Sequence, residues 1–273
     1  MSDPVELRGA TVLVTGASTG VGFATVQRMV QEGAHVVGTV RTEEDARVVR
    51  AAGAVAELLD VTDTDAGKAL VARVAPDVLV NNAAYSYRAA FEHGDLDAIR
   101  QMFEVNFIGA VALAQAAIPA MRERHRGVIA NVTSISGRIA QHLNGYYPAT
   151  KFALEAVSEQ MYYELRPFGI RVVIIQPGGI RTSFIPNMRV EPKTYDDPTN
   201  PYAPLAAKMR PTAPSGSDPS VVADTIVRAV EADVPGKLRW PATPDAVEIL
   251  TAREQMTDAQ WETWWLERNK INW

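Results

Sequence analysis

Cysteine is absent from this chain of 273 residues, and histidine occurs only four times. The lack of cysteine excludes disulfides, thiolate nucleophiles and cysteine-based metal sites, and it fits a reducing compartment. The four histidines show no spacing that suits metal ligands, so the sequence predicts no metal site.

Basic charge and long apolar runs are also scarce. The formal net charge is −5, which gives no reason to expect nucleic acid or an anionic membrane surface as a partner. The chain begins without a basic n-region, and no segment approaches the roughly 18 apolar residues that cross a bilayer. We therefore expect a cytoplasmic protein with no nucleic-acid or membrane partner.

What the chain does contain is a regular alternation of short apolar runs and helical patterns. The runs are apolar on both faces and rich in β-branched residues, which is typical of a parallel sheet covered by helices on both sides. The alternation predicts an α/β Rossmann fold, with a doubly wound sheet in three α/β/α layers and a ligand crevice at the carboxyl ends of its strands. The predicted strands are 10–16, 35–40, 54–61, 77–83, 127–134 and 171–178, and the predicted helices are 21–32, 43–52, 63–74, 96–123 and 147–166.

Residues 183–216 differ from the rest of the chain because they hold seven prolines and show no sustained period. A long proline-rich insertion is usually a functional lid or a disordered segment, and we predict a substrate-binding lid within a single domain of residues 1–273.

The chain after the lid is predicted to return to regular structure, with a helix over 218–232, a last strand over 236–242 and a helical extension over about 243–273. Trp261, Trp264 and Trp265 form a stripe on that extension, which indicates core packing or a subunit contact.

The stretch "TGASTGVG" (15–22) follows the first predicted strand and opens the first helix. Glycines at 16, 20 and 22 permit a tight turn and a close approach of backbone to a pyrophosphate at the helix N-terminus. At the end of the second strand, Val40 occupies the place where an acidic residue would select NAD, and Arg41 follows it. An arginine there suits the 2′-phosphate of NADP, so NADP(H) is favoured over NAD(H); the alternative is a solvated Arg41 that pairs with Glu43 or Glu44.

Two adjacent tyrosines precede a lysine in "GYYPATK" (145–151). Only Tyr147 lies four residues before Lys151, and residues four apart share a helix face. A nearby ammonium favours the phenolate, so Tyr147 is a candidate proton donor with a lowered pKa. Pro148 restricts the start of this helix to residues 145–148, since proline is tolerated only in the first turn.

Seven spaced motifs in this order resemble those of the short-chain dehydrogenase/reductase family in its single-domain form. They are "TGASTGVG" (15–22), "LDV" (59–61), "NNAA" (81–84), "VNFIGA" (105–110), "NVTSISG" (131–137), "YPATK" (147–151) and "PGGIRT" (177–182). The family pattern has glycine where "NNAA" ends in Ala84, which is a mild departure.

The resemblance implies that Tyr147 is the general acid, that Ser134 hydrogen-bonds the substrate oxygen, and that Lys151 holds the nicotinamide ribose and lowers the phenol's pKa. It also implies that Asn106 fixes a water that links Lys151 to solvent. Together with the arginine after the second strand, it gives a cofactor-binding set of Gly16, Ser18, Thr19, Gly20, Val21, Gly22, Arg41, Asp60, Val61, Asn82, Ala83, Tyr147, Lys151, Pro177, Gly178, Ile180 and Thr182.

The implied activity is hydride transfer between NADP(H) and a ketone or secondary alcohol. Alternatives are an NAD-dependent alcohol dehydrogenase, an acyl-chain ketone reductase, and a dinucleotide-sensing protein that has lost catalysis. A nucleotide-sugar epimerase or dehydratase is disfavoured, because those enzymes resemble this fold but usually carry a different glycine spacing and a larger C-terminal region.

Apolar residues of the lid and of the loop before Tyr147 indicate a pocket for a lipophilic carbonyl compound. They are Phe184, Ile185, Met188, Tyr195, Tyr202, Leu205 and Met209, with Ile139, Leu143 and Tyr146. Arg181, Arg189 and Lys193 leave open an acidic or carrier-bound substrate, and His142 is either a surface residue or a substrate contact. The apolar excess on helices 96–123 and 147–166 predicts a homodimer or homotetramer.

Overall fold

A computed structural model describes residues 5–271, apart from residues 183, 185–187, 211–215, 233 and 235. Its centre is a seven-stranded parallel sheet in the order β3-β2-β1-β4-β6-β7-β9. The strands of this sheet are β1 (Thr11–Thr15), β2 (His35–Val40), β3 (Val55–Leu58), β4 (Val78–Asn81), β6 (Gly127–Val132), β7 (Ile170–Gln176) and β9 (Arg239–Pro241). All six strands predicted before the lid are present, and each lies within its predicted range except that β7 begins one residue earlier.

Helices connect these strands and cover both faces of the sheet. They are α1 (Gly20–Gln31), α2 (Glu43–Ala51), α3 (Thr64–Val74), α4 (Leu96–Phe103), α5 (Gly109–Glu123), α6 (Tyr146–Leu165), α7 (Pro192–Tyr195), α8 (Ala203–Met209), α9 (Pro219–Glu231), α10 (Pro244–Gln255) and α11 (Asp258–Arg268). The start of α6 at Tyr146 places Pro148 in the first turn, as the sequence predicts.

Alternate residues of each strand pack into two different hydrophobic layers. Val12 and Val14 of β1 face one layer, which α1, α2 and α9 complete, whereas Leu13 faces the other, which α3, α5 and α6 complete. The central strands β4 and β6 are buried along their whole length. Because the sheet is covered on both faces, the strands read as continuous apolar runs. The three-layer, doubly wound fold is therefore confirmed.

The predicted helix 96–123 is continuous but contains a π turn, Glu104–Ile108, between α4 and α5. The stretch Leu96–Glu123 contains an 18-residue window with a mean hydropathy of 1.4, so by length and composition alone this helix could cross a bilayer. The expectation that no segment reaches this threshold is therefore wrong. Leu113, Ala117 and Met121 of α5 pack against the central sheet, and a core helix passes the same two criteria.

The lid and the C-terminal extension each pack on loops at the carboxyl edge of the sheet. In the lid, β8 (Arg189–Val190) forms a two-stranded parallel sheet with β5 (Tyr87–Arg88). The extension contains α10 and α11, and its Trp265 is buried against Ile135 and Ile139. The tryptophan stripe thus packs in the core of its own chain, one of the two roles that the sequence left open.

Candidate active site

The predicted site residues converge at the carboxyl edge of the sheet, around the point where the strand order reverses between β1 and β4. The glycine loop follows β1, Asn82 and Ala83 follow β4, Ser134 follows β6 by two residues, and Pro177 follows β7. Ligands of doubly wound sheets bind at this switch point. The fold therefore brings sequence-distant motifs to one crevice.

The glycine loop is held in a form that side chains would not permit. Gly16 and Gly20 have φ values of 64° and 55°, which lie in the left-handed region that favours glycine. A Cβ on Gly22 would lie 2.0 Å from the Gly16 carbonyl oxygen and 2.6 Å from Nδ2 of Asn82. The helix can approach the strand this closely only because position 22 lacks a side chain.

The N-terminus of α1 faces this loop without a capping side chain. Thr19, at the N-cap, makes no side-chain cap hydrogen bond, and the first turn holds no acidic residue. Ser18 is half-buried, Thr19 is exposed, and Val21 lies in the first turn of the helix. Helix N-termini carry unpaired N–H groups and partial positive charge. This arrangement fits the pyrophosphate of a dinucleotide.

Thr15 locks the loop to the end of β4. Its hydroxyl accepts hydrogen bonds from the backbone amides of Asn82 (2.9 Å) and Ala83 (3.0 Å). The Asn82 side chain donates back to the carbonyls of Thr15 (2.9 Å) and Gly16 (3.2 Å). Thr15 was missed as a site residue by the sequence analysis, although the threonine in "TGASTGVG" offered a signal.

Arg41 is exposed directly after β2. Glu43, one of the two carboxylates that the alternative reading pairs with Arg41, forms an ion pair with Arg50. Asp60 also lies at this end of the crevice, and its carboxylate accepts from the amide (3.0 Å) and hydroxyl (2.7 Å) of Thr62. These hydrogen bonds hold the pKa of Asp60 below its usual value. The neighbouring Val61 is buried.

Tyr147 and Lys151 lie one turn apart on α6 and are both buried, with exposed fractions of 9% and 2%. Lys151 Nζ lies 5.7 Å from the centre of the Tyr147 ring and donates to the Val132 carbonyl oxygen at 2.9 Å. Burial lowers the pKa of Lys151 to about 8, and the charge of Glu155 acts in the opposite direction.

The pKa of the Tyr147 phenol is raised by burial, and the hydrogen bond with Ser134 opposes this only in part. The expectation of a lowered pKa is therefore wrong for the protein alone. The physical reason is that removal from water disfavours the phenolate, while the lysine amine is directed to the Val132 carbonyl.

Ser134 lies two residues after the end of β6, within hydrogen-bond reach of Tyr147. Its Oγ accepts from the Ser136 amide at 3.1 Å and donates to the Pro177 carbonyl at 3.4 Å. The serine is thereby fixed between α6 and the loop after β7.

Asn106 lies in the π turn and is almost fully buried. Its side-chain oxygen accepts a hydrogen bond from the Tyr85 amide at 3.0 Å, and its side-chain nitrogen donates to the Tyr85 carbonyl at 2.9 Å. The same nitrogen donates to the Thr150 hydroxyl at 3.1 Å. The side chain thus joins the loop after β4 to α6, and its role in fixing a water remains a prediction. π turns are frequent at functional sites.

Tyr146 points away from its neighbour. Its hydroxyl donates to the Phe91 carbonyl, and its ring stacks on those of Tyr87 and Phe91, with centroids 6.3 and 5.9 Å apart. Tyr146 therefore packs beside the pocket, in agreement with the helical spacing that selects Tyr147.

The lid contributes less to the pocket than predicted. Phe184 meets the Tyr147 ring edge-on at 5.7 Å, and Met188 is half-buried. The remaining predicted lid residues that the structure describes form a separate core with Leu143 and Ala206, and they are Tyr195, Tyr202, Leu205 and Met209. Ile139 packs instead in the cluster that contains the tryptophans of α11. Ile185 lies outside the described residues.

The polar residues that were candidates for substrate contact have different surroundings. Arg181 forms an ion pair with Asp218 at 3.2 Å, and Lys193 is exposed on the lid. Arg189 stacks over the Tyr85 ring at 5.4 Å. Burial lowers the pKa of the half-buried His142.

The loop after β7 is fixed by residues that the sequence analysis missed. The Gly178 amide donates to Oγ1 of Thr243 at 3.0 Å, and the Gly179 amide donates to the Asp245 carboxylate at 2.7 Å. Further along, Ile180 forms a parallel bridge with Ser217. The partners come from residues about 40 to 65 positions away, so no local sequence pattern could have identified them.

This loop also meets the glycine loop. A Cβ on Gly20 would lie 3.2 Å from Cγ2 of Thr182. The glycine loop, which was predicted to bind a pyrophosphate, and the loop after β7, which belongs to the predicted cofactor-binding set, are thus in contact within one crevice.

The chain is similar to known proteins in both sequence and fold. The family model for short chain dehydrogenases matches residues 10–192. A 3-ketodihydrosphingosine reductase of Bacteroides thetaiotaomicron is 34% identical over 67% of this chain and 68% of its own length. A short-chain dehydrogenase structure from Streptomyces avermitilis is 33% identical, with a TM-score of 0.80 over 97% of this chain and 99% of that chain.

Related structures have been solved with either nicotinamide dinucleotide. A short chain dehydrogenase from Burkholderia cenocepacia in complex with NADP is 25% identical, with a TM-score of 0.75 over 94% of this chain and 96% of that chain. A Burkholderia phymatum structure in complex with NAD shares the fold at 22% identity, with a TM-score of 0.79 over 92% of this chain and 95% of that chain.

Proposed function

This chain belongs to the short-chain dehydrogenase/reductase family, and we propose that it is an NADP(H)-dependent oxidoreductase that interconverts a lipophilic ketone and its secondary alcohol. The observation that carries the proposal is the convergence of Ser134, Tyr147 and Lys151 at the carboxyl edge of the sheet. They lie in the same crevice as an uncapped helix N-terminus. Such a set supplies a proton donor, an orienting hydroxyl and a buried ammonium.

The residues that fit the cofactor are the glycine loop, Arg41, Asp60, the end of β4 and the loop after β7. When a nicotinamide dinucleotide is bound there, its ring supplies or accepts the hydride. The chain's own residues fix the position of the loops and exclude water. Asn82 and Thr15 tie the glycine loop to β4, and Thr243 ties down the loop after β7.

Proton transfer is assigned to Tyr147. Since burial raises its pKa, the hydroxyl keeps its proton at neutral pH and donates it to the oxygen on which negative charge develops. Ser134 lies within hydrogen-bond reach of the Tyr147 hydroxyl. It orients the substrate oxygen and stabilises the negative charge that develops there. Lys151 is proposed to hold the ribose hydroxyls, and its ammonium favours the phenolate that forms as the proton leaves.

The preference for NADP(H) is proposed from Arg41. The side chain is exposed after β2, and Glu43, which could have neutralised it, pairs with Arg50. A guanidinium binds a phosphate through charge-assisted, bidentate hydrogen bonds. NAD(H) dependence is the alternative, and it leaves the chemistry at Tyr147 unchanged.

The substrate is proposed to be lipophilic because aromatic rings surround the phenol. Phe184 contacts the Tyr147 ring, and Tyr85 belongs to the same hydrophobic cluster. The reductase from Bacteroides thetaiotaomicron is named for a keto substrate. Arg189, stacked over Tyr85, is the feature that favours the second candidate, an acyl-chain ketone with an acidic group or carrier.

The test is to follow oxidation of NADPH and of NADH, separately, with a panel of lipophilic ketones and aldehydes. We expect turnover with NADPH, and we expect Arg41→Ala to raise KM for NADPH about tenfold or more while leaving KM for NADH nearly unchanged. Arg47→Ala, which removes an exposed arginine from α2, is the matched control. Turnover only with small hydrophilic sugars contradicts the proposed substrate class.

Assembly and location are also proposals. Ile108, Phe152 and Phe168 are large apolar residues that remain 38%, 44% and 40% exposed, in the π turn, on α6 and just after α6. We propose that this part of the chain packs against a second copy, in a homodimer or homotetramer, and that the protein is cytoplasmic. Sedimentation of a monomer at micromolar concentration contradicts the assembly, and fractionation of cells tests the location.

A further inference from the structure

A buried carboxylate lies one helical turn beyond Lys151. Glu155 belongs to α6, and its side chain is 5% exposed. Oε1 accepts hydrogen bonds from the Thr133 hydroxyl at 2.8 Å and from Nε2 of Gln176 at 2.9 Å, and Oε2 accepts from Nε of Arg239 at 2.8 Å. Both carboxylate oxygens therefore accept hydrogen bonds, from the residue that follows β6 and from residues of β7 and β9.

Two of the three hydrogen-bond partners of Glu155 are adjacent in sequence to residues of the site. Thr133 immediately precedes Ser134, and Gln176 immediately precedes Pro177 of the loop after β7. The glutamate itself lies on the helix that carries Tyr147 and Lys151. One carboxylate thus connects α6, which carries Tyr147 and Lys151, with the segment that carries Ser134 and with the loop after β7.

The charges around Glu155 come from three elements. Arg239 of β9 contacts Glu155 and also donates to Glu159, one turn further along α6, at 2.7 Å. Arg138, after the turn that follows Ser134, acts on Glu159. On the other side, the charge of Glu155 acts on Lys151 and opposes the effect of burial on its pKa.

A purely structural role would not require a charge at this position. Burying an ion pair costs desolvation energy that well-packed apolar residues avoid. A buried ammonium, by contrast, is stabilised by a negative charge one turn away on the same helix. The position of the carboxylate therefore suits an electrostatic role as well as a mechanical one.

We propose that Glu155 is a positioning residue for the Ser134–Tyr147–Lys151 site and that its charge keeps Lys151 protonated near neutral pH. The inference rests on the proposed function for its catalytic meaning, but the ionisation of Lys151 is a property of the protein alone. The two are therefore separable by experiment.

The first measurement is an NMR titration of the Lys151 side chain in the protein with 13C-labelled lysine. The chain has six lysines, and the signal missing from Lys151→Arg identifies the one of interest. We expect the titration midpoint of Lys151 to fall by about half to one pH unit in Glu155→Gln, because the neighbouring negative charge is lost.

Two variants separate charge from structure. Glu159→Gln removes a more exposed partner of the same arginine, and we expect the midpoint of Lys151 to stay within about 0.2 units of the parent value. In Glu155→Gln/Arg239→Gln the positive charge that Glu155 had balanced is also removed, so we expect the midpoint to lie between those of the parent and the single variant. A merely structural defect predicts no such recovery.

The pH dependence of NADPH affinity, measured by calorimetry, links this effect to the site. We expect the alkaline fall in affinity to begin at lower pH in Glu155→Gln than in Glu159→Gln. Equal Lys151 midpoints in these two variants would overturn the inference. An altered midpoint together with a parent that reduces no ketone contradicts the proposed function but supports the inference.

Discussion

The contact between the C-terminal extension and the loop after β7 leads to a specific prediction for Asp245→Ala. The change removes the carboxylate that accepts from the Gly179 amide at 2.7 Å, but it leaves Thr243 bonded to the Gly178 amide. The loop keeps one of its two ties to the first turn of α10. We expect cofactor binding to weaken while the chemical step is largely retained.

The size of the effect on KM depends on whether folding or cofactor binding restricts the backbone of Gly179. Fixing the backbone of one residue costs about 1–2 kcal/mol. If folding no longer fixes Gly179, cofactor binding must do so, and KM for NADPH rises about 5- to 30-fold. The amide of Gly179 is near solvent, so water replaces the lost acceptor, and we expect the free energy of unfolding to fall by only about 1 kcal/mol.

The assay is steady-state kinetics at varied NADPH, together with urea unfolding of the same preparations. Glu248→Ala is the matched control, because Glu248 lies on the same helix and pairs with Arg268 away from the loop. The reasoning is refuted if Asp245→Ala and Glu248→Ala have the same KM for NADPH. A lower kcat at unchanged KM would also refute it.

Two further predictions concern the glycine loop and the buried lysine. Gly22→Ala should abolish dinucleotide binding measured by calorimetry and lower the melting temperature, because its Cβ would lie 2.0 Å from the Gly16 carbonyl oxygen; wild-type affinity in this variant contradicts the geometry. Burial lowers the pKa of Lys151 to about 8, below the pKa of a lysine in the unfolded chain. At pH values between these two pKa values the unfolded chain therefore binds more protons than the folded protein, so the free energy of unfolding rises with pH. Relative to Lys151→Met, the free energy of unfolding of the parent should therefore increase by about 1.5 kcal/mol from pH 8 to about pH 9.5 in urea titrations, and a decrease contradicts the assignment.

Local patterns were sufficient to predict the sheet and the shared helix face of Tyr147 and Lys151. Strands such as β4 and β6 are buried on both faces, so their apolar runs were visible in the sequence. Helical spacing alone distinguished Tyr147 from Tyr146, because each position on a helix turns by a fixed angle. The π turn at Asn106 left no signal, since its residues read as ordinary helix.

Properties that depend on tertiary contacts were not predictable from the sequence. Tyr195 and Leu205 were expected in the pocket, but they pack in a cluster of lid residues with Ala90 and Leu143, because apolarity does not reveal which of two cores a side chain joins. The pKa of Tyr147 was expected to fall, yet burial raises it, and the degree of burial is not a local property. Arg239 and Asp245 reach the site from far along the chain.

The central claim is that Tyr147, and not its neighbour, donates the proton. The most direct test compares the rate of ketone reduction with saturating NADPH in the parent, Tyr147→Phe and Tyr146→Phe, with NADPH affinity measured in each. We predict that Tyr147→Phe binds NADPH but loses at least about 100-fold in kcat, whereas Tyr146→Phe retains most of its turnover because its hydroxyl bonds only the Phe91 carbonyl among the described residues. Comparable turnover by Tyr147→Phe and the parent would contradict the account.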